Sequence, residues 1–457
     1  MRVGISILAM AAALSAVTAS AQTPWQVRAD SVRAHESFLA SDALRGRGSA
    51  TPDEGVAAVY VASEFESYGL KPPPGMDSYL QTATVVTPKP SGHARLTVGD
   101  TASDEGAGLT LIYSNVKPIT GSLTVAGFDD PAQLPAGDIV LVPSLGKTAA
   151  GTWWRAARAK GIKLLILPEG DDTKAYVQRF GGKTGVSVGL EDGGAGMGGA
   201  RPDLATLSPA AFDAATKANG AQVTLDLGNA TLEKSTTTNA MAFLPGSDPS
   251  AGVILITAHM DHLGVRDDGT IMHGANDDAS GTTAVLEIAE AMAAGPQPRR
   301  GILFVGYGSE EIGGLGSTYF GMHPPIPLDQ IVTNLEFEMI GAHDPKMDPG
   351  VMMMTGFDRS NLGETLKAHG ALVAPDIYPD QHFFERSDNY SLALRGIVAH
   401  TISGWAVTPT YHDPSDTLAN LDIPFMTSAI QSLIVPVQYL ANSDFKPDWK
   451  PGGKPTP

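Results

Sequence analysis

Apolar positions cluster along the chain in two periods. Two short apolar runs, Val253 to Thr257 and Ile302 to Tyr307, have the pattern of strands covered on both faces of a parallel sheet. Further runs at Ile331 to Phe337 and Ile397 to Ile402, with helical stretches between them, continue a βα alternation. Val285, Ile288, Ala289 and Met292 share one face of a helix predicted over Ala279 to Ala294 and stopped by Gly295-Pro296. Upstream, Val32, Phe38 and Leu39 mark a first helix, and a second surrounds Val56 to Tyr68. A glycine-punctuated turn, Leu44 to Ser49, lies between the two. Tyr79 to Val86 reads as a strand because aromatic and β-branched residues dominate it.

Between Leu109 and Ser235 the pattern shortens to β-like runs at Leu109 to Tyr113, Leu123 to Ala126, Asp138 to Pro143 and Lys163 to Leu167, around one helix near Trp153 to Lys160. Gly189 to Gly199 reads as a surface loop. The fold class expected is α/β, with a mostly parallel central sheet flanked by helices and a β-rich insertion.

A chain of 457 residues, 42% hydrophobic, can bury more than one core. Met1-Arg2, the apolar run Val3 to Val17 and the small residues Ala19-Ser20-Ala21 have the layout of a cleavable secretory leader, so a periplasmic or secreted protein is expected. A membrane anchor would need about 20 apolar residues. With no cysteine, disulfides are excluded, and any metal must be held by His, Asp and Glu. Loss of residues 1–21 removes one of 31 basic residues against 49 acidic ones, leaving 30 against 49 and a net charge of −19. That surface disfavours nucleic acid and anionic membranes as partners.

The apolar runs stop at groups with metal chemistry: His259 after the first, Glu310-Glu311 after the second. Side chains just past neighbouring parallel strands can converge at one site. Asp277, in a loop opening the Ala279 to Ala294 helix, could bridge two ions, and Glu338 and His412 complete an ordered set. Adjacent Glu310 and Glu311 cannot point the same way from extended backbone, which divides metal binding from proton transfer between them. Asp261, two residues after His259, is placed to accept from the ring nitrogen turned away from a metal.

The motifs A-H-M-D-H-L-G, G-A-N-D-D-A-S-G, S-E-E-I-G-G-L-G-S, N-L-E-F-E-M-I-G, F-E-R-S-D-N and Y-H-D-P-S-D-T, in this order, resemble the co-catalytic zinc exopeptidases typified by bacterial leucyl aminopeptidases and glutamate carboxypeptidase II. The resemblance covers about Trp25 to Asn442. It implies two Zn2+ per chain, one on His259 and Glu338, the other on Glu311 and His412, with Asp277 bridging. It also implies Glu310 as general base, Tyr411 as oxyanion stabiliser and peptides as substrates. Most members have Asp where this chain has Glu338; the extra methylene moves the carboxylate by roughly a bond length unless the strand adjusts.

The domain layout that follows is a leader over 1–21, the first part of a catalytic domain over 22–108, an inserted protease-associated domain over 109–235, the main catalytic part over 236–444 and a frayed tail over 445–457. An anionic ligand set attracts a free α-amino group, so an aminopeptidase is the leading expectation. A dipeptidase or carboxypeptidase needs a cationic clamp, for which Arg386 is the nearest candidate, although a surface ion pair is its more ordinary role. A glutaminyl cyclase and a non-catalytic relative are the remaining alternatives; the latter is expected to have lost Glu310 or several ligands.

Overall fold

The strongest apolar runs form the middle of a nine-stranded sheet. In the computed structural model, which describes residues 25–179, 183–194 and 201–456, Val253–His259 and Gly301–Tyr307 are buried along their whole length. The expected leader, and residues 195–199 of the expected 189–199 loop, lie outside the described residues. From one edge to the other the sheet runs Val373–Pro375, Met352–Met354, Ala399–Ser403, Ile331–Phe337, Val253–His259, Gly301–Tyr307, Ala230–Leu244, Leu80–Pro90 and Gly189–Leu190. Its centre, from Ala399–Ser403 to Gly301–Tyr307, is parallel. Beyond Gly301–Tyr307 every pairing is antiparallel, and Met352–Met354 also joins Ala399–Ser403 antiparallel. The sheet is therefore mixed, which corrects the mostly parallel expectation. The long strands Ala230–Leu244 and Leu80–Pro90 pair over eleven residues as two arms of one ribbon, and such arms need no crossover helix.

Helix Ser280–Ala294 is buried on almost every side. It packs beneath the sheet with Ala29–Leu39, Pro52–Ser67 and the terminal helix Ile423–Asn442 in the main core. That last helix is long and apolar enough to cross a bilayer, yet its face from Phe425 to Ala441 is core. Phe38, an apolar position of the first helix, is 39% exposed and stacks on Tyr60 at 4.0 Å.

A second sheet takes the chain between Arg95 and Asp226. Its order is Asp203–Leu207, Leu164–Leu167, Ile139–Leu141, Ile119–Val125, Gln222–Asp226, Arg95–Val98, Thr101–Glu105, Gly108–Ser114 and Gly185–Val186. Pairing of Asp203–Leu207 with Gly108–Ser114 closes it on itself. Leu96, Leu109, Ile139, Ile166 and Val223 belong to one core of this barrel, and Trp153 and Trp154 of helix Ala150–Ala159 to a second. The chain leaves the first sheet at 91–94 and rejoins it at 227–229, where Pro90 stands opposite Ala230, and Gly189–Leu190 returns to the edge of the first sheet in between. The second sheet thus begins earlier than residue 109 and ends earlier than 235.

Candidate metal centre

Three neighbouring parallel strands deliver their chemistry to the same edge. His259 ends Val253–His259, Glu310 and Glu311 follow Gly301–Tyr307, and Glu338 follows Ile331–Phe337. Asp277 comes from the turn before helix Ser280–Ala294, and His412 from the loop after Ala399–Ser403. The turn fits closely: a Cβ on Gly281 would stand 2.3 Å from the Phe337 carbonyl oxygen, so only glycine allows this approach.

The donors form two groups sharing Asp277. His259, Asp277 and Glu338 make one; His262, Asp277, Glu311 and His412 make the other. Asp277 turns Oδ1 to His259 Nε2 at 3.4 Å and Oδ2 to His412 Nε2 at 3.2 Å. His412 Nε2 lies 3.1 Å from Glu311 Oε2, and His262 Nδ1 lies 2.9 Å from Glu311 Oε1 and 3.8 Å from Asp277 Oδ2. Ligands on a tetrahedral ion with bonds of about 2.0 Å stand roughly 3.3 Å apart, so these separations suit a shared cation. His259 Nε2, both ring nitrogens of His262, Asp277 Oδ2 and Glu311 Oε1 are buried without an aligned hydrogen-bond partner. Buried polar atoms left so are costly unless something occupies the space between them, and the His/carboxylate set fits a divalent ion such as zinc.

Electrostatics agree. Burial and Asp277 act to raise Glu311, but the adjacent His262 and His412 rings hold its pKa at about 2. Burial would lower His412, yet Asp277 and Glu311 lift it to about 10. Glu310 belongs to neither group; burial pushes its pKa well above the usual carboxylate range, against the pull of His259. Tyr411 lines the same cleft with its ring stacked on His412 at 3.9 Å. Burial, then Asp277 and Glu311, raise its phenol, which keeps the proton available for donation.

Asp261 faces the His259 Nδ1 as expected, but through its main chain. His259 Nδ1 is 3.1 Å from the Asp261 main-chain carbonyl and 3.7 Å from its carboxylate, so the carbonyl is the nearer partner. The carboxylate accepts the main-chain N–H groups of Glu310 and Glu311 instead, at 2.9 and 3.2 Å, and the Ser49 hydroxyl at 2.5 Å. Asp261 thereby ties the His259 loop to the glutamate turn.

Glu336, on the same strand as Glu338, accepts from Ser387 at 2.8 Å and joins neither donor group. Several supports have no counterpart in the sequence reading. Asp416, within the Y-H-D-P-S-D-T motif, accepts the N–H groups of Asn276 and Asp277 and so fixes the shared carboxylate's backbone. Glu54 accepts from both the N–H and the hydroxyl of Ser309. Arg47, fully buried in the Leu44 to Ser49 turn, donates to the carbonyls of Leu39, Met260, His273 and Gly274. His262 was also missed, although it sits three residues after His259 in the same motif, where a turn can return it to the site.

An α/β sheet with two Asp277-linked donor groups at its parallel strand ends is the architecture of a co-catalytic metal hydrolase. Residues 239–435 match the family described as Peptidase family M28, the co-catalytic zinc exopeptidases. Leupeptin-inactivating enzyme 1 of Streptomyces exfoliatus is 36% identical over 131 residues, which cover 28% of each chain; the protein thus spans little more than a quarter of that relative. Two solved structures share the fold: the aminopeptidase from Aneurinibacillus sp. strain AM-1, with TM-score 0.57 at 20% identity, covering 91% of this chain and 95% of that one; and the zinc aminopeptidase of Bacillus subtilis, with TM-score 0.53 at 18% identity, covering 91% and 96%.

Proposed function

We propose that the protein is an exported zinc-dependent aminopeptidase that removes N-terminal residues from peptides. The observation that carries this reading is the division at Asp277, one oxygen toward each donor group, with Glu310 beside both and committed to neither. His259 and Glu338 would hold one ion, and Glu311, His412 and His262 the other, with Asp277 between. Bound there, two divalent ions supply Lewis acidity toward a water and the scissile carbonyl.

The chain's own groups do the rest. Glu310 takes a proton from the attacking water and returns it to the leaving amine. Tyr411 donates its hydroxyl to the oxygen on which negative charge develops. The carboxylates lining the cleft attract the substrate's α-ammonium group. The leader-like residues 1–21 support export to the periplasm or medium, and the barrel of Arg95 to Asp226 is read as a protease-associated domain that shapes access.

The test is a panel of aminoacyl-nitroanilides, N-blocked peptides and free peptides, assayed before chelation, after it, and after zinc is returned. Free N-termini should be cleaved, blocked ones spared, and activity restored by zinc. Cleavage of blocked peptides at equal rates, or activity indifferent to chelation, would overturn the reading.

A further inference from the structure

Within the cleft, Arg386 is the one lysine or arginine among the described lining residues. Its expected surface ion pair is not formed. No described carboxylate makes a salt bridge or hydrogen bond with it, and the guanidinium lies over the Phe383 ring at 5.0 Å. Stacking engages one face of the planar group and leaves its edge of N–H donors free, the edge that matches a carboxylate in two parallel hydrogen bonds.

Charge balance sharpens the point. Asp277, Glu310, Glu311 and Glu338 make the cleft rich in carboxyl groups, and of these Glu338, whose pKa burial raises, is drawn back down by the guanidinium without an ion pair. Arg386 is thus an exposed cation that acts on Glu338 through space, with no ion pair among the described residues, in a chain whose net charge is −18. Phe383 is the wall it lies over, and Met339, Met353 and Ala406 line the same cleft.

We infer that Arg386 is a specificity-determining residue that binds a carboxylate of the substrate close to the scissile bond. The carboxylate is either an acidic side chain on the first residue or the free C-terminus of a dipeptide. The inference rests on the aminopeptidase reading and names the substrate class within it.

The zinc-loaded full chain is assayed with Leu-Gly against Leu-Gly-amide, and with Glu-nitroanilide against Gln-nitroanilide. In the wild type at least one carboxylate partner should be favoured about tenfold in kcat/KM, through KM. The pair showing the preference identifies the source. Arg386→Gln should bring that ratio close to one, and Arg386→Lys, which keeps charge but loses the fork, should restore part of it. Calorimetry with an uncleavable reduced-bond Leu-Gly and its amide reads the same ratio without turnover for the C-terminal source. Ratios of one for both pairs in the wild type, or ratios unchanged in Arg386→Gln, overturn the inference while leaving the aminopeptidase reading in place. Failure of the zinc-loaded wild type to cleave any of the four substrates overturns both.

Discussion

Glu310 and Glu311 are neighbours in sequence with opposite electrostatic fates, one carboxyl held well above its usual range and the other at about 2. That contrast sets the first prediction. Glu310→Gln should lower turnover by about 10²- to 10⁴-fold while metal content per folded chain stays at the wild-type level, read by elemental analysis beside kinetics. Turnover near wild type would falsify its role as base. Glu338→Ala should lose one ion and most activity, whereas Glu338→Asp should stay partly active, since the shorter side chain returns to the arrangement usual in the resembled family. Retention of both ions by Glu338→Ala would remove it as a ligand. His262 carries its own test. Its buried, unaligned ring nitrogens beside Glu311 predict that His262→Ala weakens the ion shared with His412 by roughly 10- to 100-fold, measured by competition against a chromophoric chelator. An unchanged affinity would leave His262 as packing alone.

What the sequence makes legible follows from how each element is specified. His259, Glu310, Glu311 and Glu338 could be found because each stands just beyond an apolar run, and strand ends are set by local pattern. Ile331–Phe337 has the expected limits for the same reason. The supports could not be found this way: Arg47, Ser49 and Glu54 reach residues more than 200 positions away, and no local period records such contacts. In the antiparallel half of the sheet, Leu80–Pro90 was legible as Tyr79 to Val86, but the full extent of Ala230–Leu244 was missed because it begins in polar sequence, exposed as far as Lys234. Contacts between helices make a pH prediction. Glu36 of Ala29–Leu39 accepts from Thr283 of Ser280–Ala294, and burial raises its pKa from 4.5 to about 8. A carboxyl with a raised folded pKa leaves stability intact below about 4.5 and costs stability as pH rises through the interval to about 8. Glu36→Gln should flatten the pH dependence of the unfolding midpoint across that interval; a slope equal to wild type would assign it to other groups.

At the scale of the whole molecule, Pro90 opposite Ala230 means that the two ends of the barrel segment leave and rejoin the first sheet side by side, while Gly189–Leu190 returns to that sheet's edge. Replacing 91–229 by a short Gly/Ser hairpin should keep zinc binding and change KM for longer peptides more than for dipeptides, with solubility followed in parallel. A soluble, fully metallated deletion with unchanged kinetics on both would remove the access role.

The supports of Asp277 also order events in time. Arg47 lies near the start of the described chain and Asp416 near its end, and both brace the segment that carries the shared carboxylate. A polypeptide delivered from its amino end lacks the last histidine and this final brace until residue 416 has arrived. The donor group that includes His412 is therefore completed late in synthesis, whereas His259, Asp277 and Glu338 are all present by residue 338. If the chain crosses a membrane unfolded, that later group would be assembled in the compartment of arrival rather than that of synthesis.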